Sequence, residues 1–287
     1  MPSLRQVALP LTLTLTLMLA ACGGGGDSGG GGTNPEPVDP VPVYPAPPAA
    51  ASWWKPARGV SFQIQFDGTI DTNVNAEVYD LDLYDTDAAT IANLKAKGRR
   101  LLCYINVGAW ENWRSDKDAF PAAVLGKNYA GWAGEKWLDI RQYATLAPIM
   151  RARMDLCKSK GFDGIDPDNL DNYLQDTGFP ITQTDQLAYN RWIAREAHAR
   201  GLAVGQKNVQ ALTAQLQGYY DFAIVEQCVK QGWCSDMNAY LQSNRPVFAL
   251  EYVEEGQTPE KVCPTAQSLG LTAIIKRLEL GAFRQGC

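Results

Sequence analysis

Eight short strand-like runs recur along this sequence, and most of them are separated by stretches with helical character. The predicted strands cover residues 60–66, 78–83, 101–106, 162–166, 202–206, 221–226, 246–251 and 271–275. The clearest predicted helices cover residues 88–97, 145–160 and 185–200. Strands that alternate with helices form a parallel sheet covered by helices, and eight such units close into a barrel. The sequence therefore predicts an α/β fold with a single (β/α)8 TIM-barrel domain.

Polar side chains occur at or just after the C-terminal end of every predicted strand. They are Asp67, Asp82, Asn106, Asp166, Asp168, Lys207, Asn208, Glu226, Glu251 and Lys276. In barrels of this class the C-terminal ends of the strands surround the active site, so the pattern predicts a polar mouth at that end. In the first strand we expect the apolar residues, including Phe62 and Ile64, to meet helices, and we expect Gln63 and Gln65 to face the lumen.

The first fifty residues have a composition that cannot form a core. Residues 1–21 contain one basic residue and then an apolar stretch ending in Leu-Ala-Ala, which resembles a bacterial lipoprotein signal peptide with Cys22 as the lipidated residue. Residues 22–52 are rich in glycine and proline and predict a disordered tether. The folded domain is then expected over residues 53–287, in an exported protein held at a membrane, an outer membrane if the source has one, by its lipid alone. Ordinary secretion is the alternative.

The six cysteines besides Cys22 indicate disulfide bonds, because their number is even and the chain is expected to be exported. They are Cys103, Cys157, Cys228, Cys234, Cys263 and Cys287. Six cysteines allow fifteen pairings. We favour the three sequential ones, because Cys103 has the outward phase of its strand and Cys157 lies on the helix before the next strand. Zinc binding is the alternative, but the sequence contains no CxxC pair.

The run Gly-Phe-Asp-Gly-Ile-Asp-Pro-Asp-Asn-Leu-Asp-Asn-Tyr at residues 161–173 concentrates acidic side chains. It contains Asp163, Asp166, Asp168 and Asp171. Like charges this close destabilise one another, so the run indicates a functional site. Because side chains alternate along a strand, we expect Asp166 and Asp168 to face the site and Asp163 to be structural, with the strand ending at Pro167. A solvated acidic turn or a calcium loop is the alternative.

Composition removes several classes of function. With the signal peptide gone, 25 basic residues face 31 acidic ones, which argues against nucleic acid as a partner and suits a neutral or cationic one. The single histidine, His198, lies late in a predicted helix at the opposite barrel end, so serine triads and histidine-rich zinc sites are not expected. Carboxylate chemistry remains, with Glu226 as the best candidate for an acid and Asp168 as its ionised partner.

The longest connection between predicted strands, residues 107–144, is rich in indole side chains. It contains Trp110, Trp113, Trp132 and Trp137. Such a segment forms either a packed lid or platforms on which sugar rings stack. We expect both uses, with Trp137 packing rather than binding.

Several motifs together resemble glycoside hydrolase family 114, the endo-α-1,4-polygalactosaminidases of bacteria and fungi. The motifs are the acidic run 161–173, the preceding Cys-Tyr-Ile-Asn-Val-Gly-Ala-Trp-Glu at 103–111, Gln-Lys-Asn at 206–208 and Val-Glu-Gln-Cys at 225–228. The resemblance covers nearly all of residues 53–287. It implies a (β/α)8 barrel that cuts galactosamine-rich polysaccharide internally.

The resemblance also implies roles for individual residues. The catalytic pair falls on Asp168 and Glu226. Substrate-binding positions fall around Asp67, Asp82, Tyr104, Lys207 and Tyr252, and Asn208 belongs to one of the matching motifs. De-acetylated galactosamine carries ammonium groups, for which the mouth offers countercharges from Asp67, Asp82, Asp166, Asp171 and Glu251.

The sequence thus predicts an endo-acting glycoside hydrolase that works with two carboxylates, as a monomer, without a cofactor or metal. Its expected partner is a cationic galactosamine polymer. Three alternatives stay open: a barrel that binds amino-sugar polysaccharide without cutting it, a hydrolase of another polysaccharide, and an enzyme of another class such as a deacetylase, which would need a metal. New reducing ends would argue against the barrel that only binds, and a reaction unaffected by a chelator would count against the deacetylase.

Overall fold

The computed structural model describes residues 41–50 and 52–287, and its main feature is a nine-stranded sheet whose first eight strands run parallel. The parallel strands and three short strands inserted among them are β1 (Phe62–Gln65), β2 (Val78–Asp82), β3 (Arg100–Asn106), β4 (Ala109–Glu111), β5 (Leu125–Asn128), β6 (Glu135–Leu138), β7 (Gly164–Asp168), β8 (Ala203–Lys207), β9 (Phe222–Glu226), β10 (Val247–Tyr252) and β11 (Thr272–Lys276). The ninth strand of the sheet, β12 (Gln285–Gly286), is antiparallel to β11. All eight predicted strands are confirmed to within two residues.

Helices cover the outside of this sheet. They are α1 (Ala88–Ala96), α2 (Tyr143–Lys160), α3 (Gln183–Ala199), α4 (Thr213–Leu216), α5 (Cys228–Gln231), α6 (Asn238–Gln242) and α7 (Pro259–Leu269). Local sequence explains several ends: Gly161 ends α2 in the left-handed conformation, and a reciprocal capping box between Thr182 and Asp185 begins α3. Between β1 and β2 the chain forms a loop instead of a helix. The α/β barrel class is confirmed.

The sheet curls so that its first and last parallel strands lie side by side. The hydroxyl of Thr272 on β11 donates to the carbonyl of Val60, just before β1, at 3.1 Å. The lower lumen is filled by one apolar cluster: Phe62, Ile64, Val78, Leu102, Ala203, Phe222, Ile224, Phe248, Leu250, Tyr252 and Ile274. A second, larger cluster lies between the sheet and the helices. Most of the lumen is therefore a packed apolar core, with polar side chains in its upper layers and at its C-terminal mouth.

The expected orientation of the first strand is wrong. Phe62 and Ile64 belong to the lumen cluster, where the ring of Phe62 stacks on Phe248 at 4.3 Å. The buried side chain of Gln65 instead bonds the backbone of the following loop, at Thr69 among other positions. The reason is that a barrel this narrow needs apolar layers in its lumen, whereas the outer face of β1 is followed by a loop that offers polar partners.

Strand β7 also differs from the prediction, because it continues through Pro167 to Asp168. Pro167 lies opposite Ile105 in the register with β3. Asp163, just before the strand, accepts hydrogen bonds from Lys95 at 2.7 Å and Arg100 at 2.8 Å, as expected for a structural residue. Asp168 is therefore held in the sheet and not in a loop.

The residues between β3 and α2 contain a small antiparallel sheet in the order β4, β6, β5. The indole of Trp137 is 3% exposed and lies 4.1 Å from the ring of Tyr129, whereas Trp113 and Trp132 are 44% and 37% exposed. The segment thus combines packed and exposed aromatic side chains.

Three disulfide bonds join the six predicted cysteines in sequential order. They are Cys103–Cys157, Cys228–Cys234 and Cys263–Cys287. The first ties the outward face of β3 to α2, as its phase predicts. The sequential pairing is confirmed.

The segment before the predicted domain start lies against the barrel. The ring of Tyr44 stacks on Tyr143 at 4.5 Å, the hydroxyl of Tyr143 donates to the carbonyl of Pro45 at 2.6 Å, and the amide of Ala50 donates to the carbonyl of His198 at 2.9 Å. The packed chain thus includes part of the predicted tether 22–52. The predicted signal peptide, Cys22 and the rest of the tether lie outside the described residues.

His198 lies at the end of the barrel opposite the polar mouth. Its ring stacks on Trp53 at 4.1 Å, and both side chains bond Asp221 at 2.9 Å. A shallow cleft of about 460 Å³ opens beside them. Since Asp221 directly precedes β9, the cleft lies at the N-terminal ends of the strands and is not part of the polar mouth. Among residues 41–50 and 52–287, no helix is both long and apolar enough to cross a membrane.

Candidate active site

Asp168 and Glu226 stand at the C-terminal ends of β7 and β9, on either side of β8. Between them the ammonium of Lys207, at the end of β8, lies 3.4 Å from Oδ1 of Asp168 and 3.8 Å from Oε2 of Glu226. Since both distances share one nitrogen, the two oxygens are at most about 7 Å apart, close enough for both carboxyl groups to reach one bond of a substrate. The structure therefore brings the two predicted catalytic residues into one site.

Asp168 is fixed by donors on both of its oxygens. The hydroxyl of Tyr104 donates to Oδ2 at 2.9 Å, and the backbone amide of Asn169 donates to Oδ1 at 2.9 Å. Burial and the charge of Asp168 raise the pKa of Tyr104 well above its usual value, so its hydroxyl stays protonated and can donate. These donors and the nearby ammonium hold the carboxyl group of Asp168 in one orientation.

Glu226 has a matching set of partners from the neighbouring strands. The amide of Asn208 donates to Oε2 at 3.1 Å and accepts the backbone amide of Glu226 at 2.8 Å, while the hydroxyl of Tyr252 donates to Oε1. Burial, followed by the charge of Glu226, raises the pKa of Tyr252 well above its usual value. With 29% of its side chain exposed, Glu226 remains open to a substrate at the mouth.

Lys207 holds this arrangement together from below. It is 5% exposed, and its ammonium also lies 3.4 Å from Oδ2 of the fully buried Asp166. Burial alone would lower the pKa of Lys207, but the three carboxylates raise it well above the usual range, so it is a permanent cation. Burial raises the pKa of Asp166 to about 6 even though Lys207 opposes the change.

The backbone turns sharply directly after each of these strands. Asn169, Asn208 and Gln227, which follow Asp168, Lys207 and Glu226, have φ angles of 62°, 45° and 57°. Left-handed backbone costs a non-glycine residue of the order of 1 kcal/mol and persists where surrounding contacts impose it, often at functional sites. These turns end the three strands at Asp168, Lys207 and Glu226, whose side chains have the lumen phase.

The inserted sheet forms one wall of the site. Glu135 on β6 is 7% exposed, and the amide of Asn106 reaches its Oε2 only at 3.5 Å. Burial, with the charges of Glu111 and Asp168, raises the pKa of Glu135 to about 8. Burial raises the pKa of Tyr129, which lies in the same insertion, and the charges of Asp168 and Glu226 raise it further. The wall therefore adds a protonated carboxyl group and a phenol to the site.

Four predicted substrate-binding acids lie outside the central cluster. Asp67 is exposed at the rim, beyond β1. Asp82 is buried and paired with Arg114 at 2.7 Å. Asp171 lies at the edge, where its Oδ2 accepts a hydrogen bond from Gln175 at 2.8 Å. Glu251 has the outward phase of β10, so it does not enter the mouth and instead accepts the backbone amide of Val229 at 2.7 Å. The other predicted positions, Tyr104, Asp166, Lys207, Asn208 and Tyr252, are brought together.

Sequence reasoning missed three acidic or aromatic residues of this region: Asp80, Glu135 and Tyr129. Asp80 shares the lumen phase of β2 with Asp82, so alternation along that strand would have identified it. Glu135 and Tyr129 come from the irregular insertion, where no periodic signal indicates which side chains turn inward. Among the described residues, no group of three or more His, Cys, Asp and Glu side chains is arranged to hold a metal ion.

A barrel whose mouth presents two carboxyl groups to one point, each held by a tyrosine and sharing one lysine, has the site of an O-glycosyl hydrolase. The model of glycoside-hydrolase family GH114 matches residues 44–287. The chain belongs to this family, and the expected resemblance is confirmed.

Similar proteins come from a fungus and from bacteria. The crystal structure of Ega3 from Aspergillus fumigatus, in complex with galactosamine, is 35% identical, covers 83% of this chain and 99% of its own, and superposes with a TM-score of 0.79. The glycoside hydrolase domain of PelA from Pseudomonas aeruginosa, 14% identical over 79% of this chain and 98% of its own, shares the fold with a TM-score of 0.62. An uncharacterized protein of Deinococcus radiodurans is 25% identical over 245 residues, which are 74% of this chain and 78% of that protein.

Proposed function

We propose that this glycoside hydrolase cleaves α-1,4-linked galactosamine-rich polysaccharide at internal linkages. The observation that carries the proposal is the convergence of Asp168 and Glu226 on one ammonium, at most about 7 Å apart. The substrate class is supported by the 35% identity to a protein whose structure contains galactosamine. An internal cut is supported by the family resemblance of the sequence motifs.

In the proposed reaction, Glu226 donates a proton to the glycosidic oxygen as the bond to the leaving sugar breaks. Asp168 is the ionised partner, acting on the anomeric carbon directly or through a water molecule. This division of roles is supported by the motif resemblance, which places the catalytic pair on these two residues, and by the ammonium of Lys207, which lies nearer to Asp168, at 3.4 Å, than to Glu226, at 3.8 Å.

The preference for a cationic polymer is supported by the charges around the mouth. Asp67 is exposed at the rim and Asp171 is half-buried at the edge, where their carboxylates face solvent that a polymer would occupy. An ammonium at C2 of a sugar finds countercharges there, whereas an acetylated nitrogen gains nothing from them. Neutralising the polymer by acetylation is therefore expected to weaken binding at low salt.

The proposal is tested by product analysis after incubation with partially de-acetylated α-1,4-polygalactosamine. Mass spectrometry should reveal a ladder of oligosaccharides of mixed length from the earliest times, as internal cutting requires. The matched control is Glu226→Gln, which keeps the size of the side chain and should give no ladder. Release of monomers alone would contradict internal cutting, and the absence of new reducing ends from every galactosamine polymer would refute the substrate.

We also propose that the protein acts as an exported monomer tethered to a membrane by lipid on Cys22. Support comes from the signal-like residues 1–21 and from the three disulfide bonds, which are typical of exported proteins. Metabolic labelling with a radioactive or clickable fatty acid should mark the wild type and leave Cys22→Ala unmarked. Labelling of both proteins, or of neither, would contradict the anchor.

A further inference from the structure

A second acidic pair lies deeper in the lumen, below the lysine. Asp80 on β2 and Asp166 on β7 are both fully buried. Strand β3 lies between β2 and β7 in the sheet. In the register, Asp80 lies opposite Leu102 of β3, and Asp166 lies opposite Tyr104, two residues further along the same strand. The two carboxyl groups thus belong to neighbouring layers on the lumen side of the sheet.

The polar atoms of this pair are poorly satisfied by other side chains. Within the described part of the chain, neither carboxyl oxygen of Asp80 has a hydrogen-bond partner. One oxygen of Asp166 also lacks a partner, and the other accepts a hydrogen bond from Lys207. Two buried carboxylates side by side would repel strongly, and an unpartnered buried oxygen costs about 1 to 3 kcal/mol. One proton between the two groups removes the repulsion and gives both a partner.

We propose that Asp80 stays protonated and donates a hydrogen bond to Asp166, and that this bond holds Asp166 as the anion that positions Lys207 between the two catalytic carboxylates. Asp80 is then a positioning residue that touches no substrate. The proposal rests on the proposed function only for its kinetic consequences, because the protonation itself concerns the resting protein.

The electrostatic surroundings agree with this division of charge. Burial raises the pKa of Asp80 well above its usual value, and the negative charge of Asp166 raises it further, against the opposing effect of Lys207. Burial raises the pKa of Asp166, whereas Lys207 and then a hydrogen bond from Asp80 lower it. The other charged groups that act on the pair are Lys207, Asp168 and Glu226. With these groups present, Asp80 is the member of the pair that keeps the proton.

Infrared difference spectroscopy of the full protein tests the protonation directly. The spectrum of wild type minus Asp80→Asn at pH 7 should contain the carbonyl stretch of one protonated carboxylic acid. Asp155→Asn, which changes an exposed carboxylate on α2, is the control and should give no such band. A missing band for Asp80 would overturn the proposal, whatever polymer the enzyme cuts.

Kinetics test the positioning role. Asp80→Leu keeps the branched shape and the number of heavy atoms but has no donor, so Asp166 should take up a proton at higher pH and release Lys207. We expect kcat to fall about tenfold with KM within about threefold, and the acid limb of the kcat profile to move up by about one pH unit. Asp80→Asn keeps an N–H donor and should recover most of kcat and the original acid limb.

Two outcomes of the kinetic experiment contradict the positioning role. Equal losses in Asp80→Leu and Asp80→Asn with an unmoved pH profile would mean that the site needs the carboxyl group only for packing, and thermal unfolding of both variants would show whether packing has changed. Wild-type kcat in Asp80→Leu would mean that Lys207 needs no such support. If no galactosamine polymer is cut by the wild type, the proposed function fails while the infrared result still decides the protonation.

Discussion

Replacing Glu226 with Gln is expected to separate the roles of the two carboxyl groups. The amide keeps the shape of the side chain but has one oxygen for two donors, the hydroxyl of Tyr252 and the amide of Asn208. The mismatch costs about 1 to 3 kcal/mol locally, which the folded barrel tolerates. The larger effect is on catalysis, because a general acid contributes a factor of about 10² to 10⁴, or roughly 3 to 5 kcal/mol of the barrier.

The loss should depend on the leaving group. A sugar hydroxyl needs the proton from Glu226, so cleavage of the polymer should fall by the full factor of about 10² to 10⁴. In an aryl α-oligogalactosaminide the leaving group is an acidic phenol, which departs without being protonated. Release of this phenol should therefore fall by less than about tenfold. Asp168→Asn should lose both activities. The assay compares kcat/KM for reducing ends from the polymer with release of the phenol.

The opposite pattern would reverse the assignment. If Asp168→Asn retained the aryl substrate and Glu226→Gln lost it, Asp168 would be the acid. Near-normal cleavage of the polymer by Glu226→Gln would refute the carboxylate pair altogether. Glu255→Gln, at the surface beside Lys230, is the control and should retain both activities to within about twofold.

Three further changes test the architecture of the site and the fold. Tyr104→Phe removes the donor 2.9 Å from Asp168 and should lower kcat/KM about tenfold in steady-state assays, and a value within twofold of wild type would contradict its role. Glu135, whose pKa is raised from its unfolded value to about 8, stabilises the fold at low pH and loses that contribution as pH rises. Glu135→Gln should therefore gain a few kcal/mol in free energy of unfolding over wild type between about pH 4.5 and pH 8 in urea titrations, and a constant difference would refute the burial argument. Removing the Cys103–Cys157 bond with two alanines opens a loop of 54 residues and should cost about 4 kcal/mol by the same titration, whereas a cost under about 1 kcal/mol would contradict the loop-entropy account.

The strands and the central pair could be predicted because their signals are local. Each buried strand carries a short apolar run, and the C-terminal ends of parallel strands must meet, so Asp168 and Glu226 could be assigned to one mouth before any coordinates. The sequential disulfides followed from the outward phase of Cys103 in the same way. These inferences need only periodicity and chain direction.

The remaining errors concern which way a side chain points. Apolar and polar side chains alternate clearly along β1, as in Phe62 and Gln63, but alternation does not show which face is the lumen. That choice depends on the loop that replaces a helix after β1. Glu251 stands at a strand end and yet has the outward phase, where it caps α5. Glu135 enters the site from an insertion whose path is set by tertiary packing. Such choices are made by the whole barrel and not by neighbouring residues.

The single ammonium shared by Asp166, Asp168 and Glu226 has a consequence for every titration of this enzyme. Adding a proton to any one carboxyl group removes the repulsion that its charge exerts on the other two, so the trio responds collectively. The inflections in a pH–rate curve will describe the trio as a unit, and free-energy changes from single substitutions within it will not sum to those of combined ones.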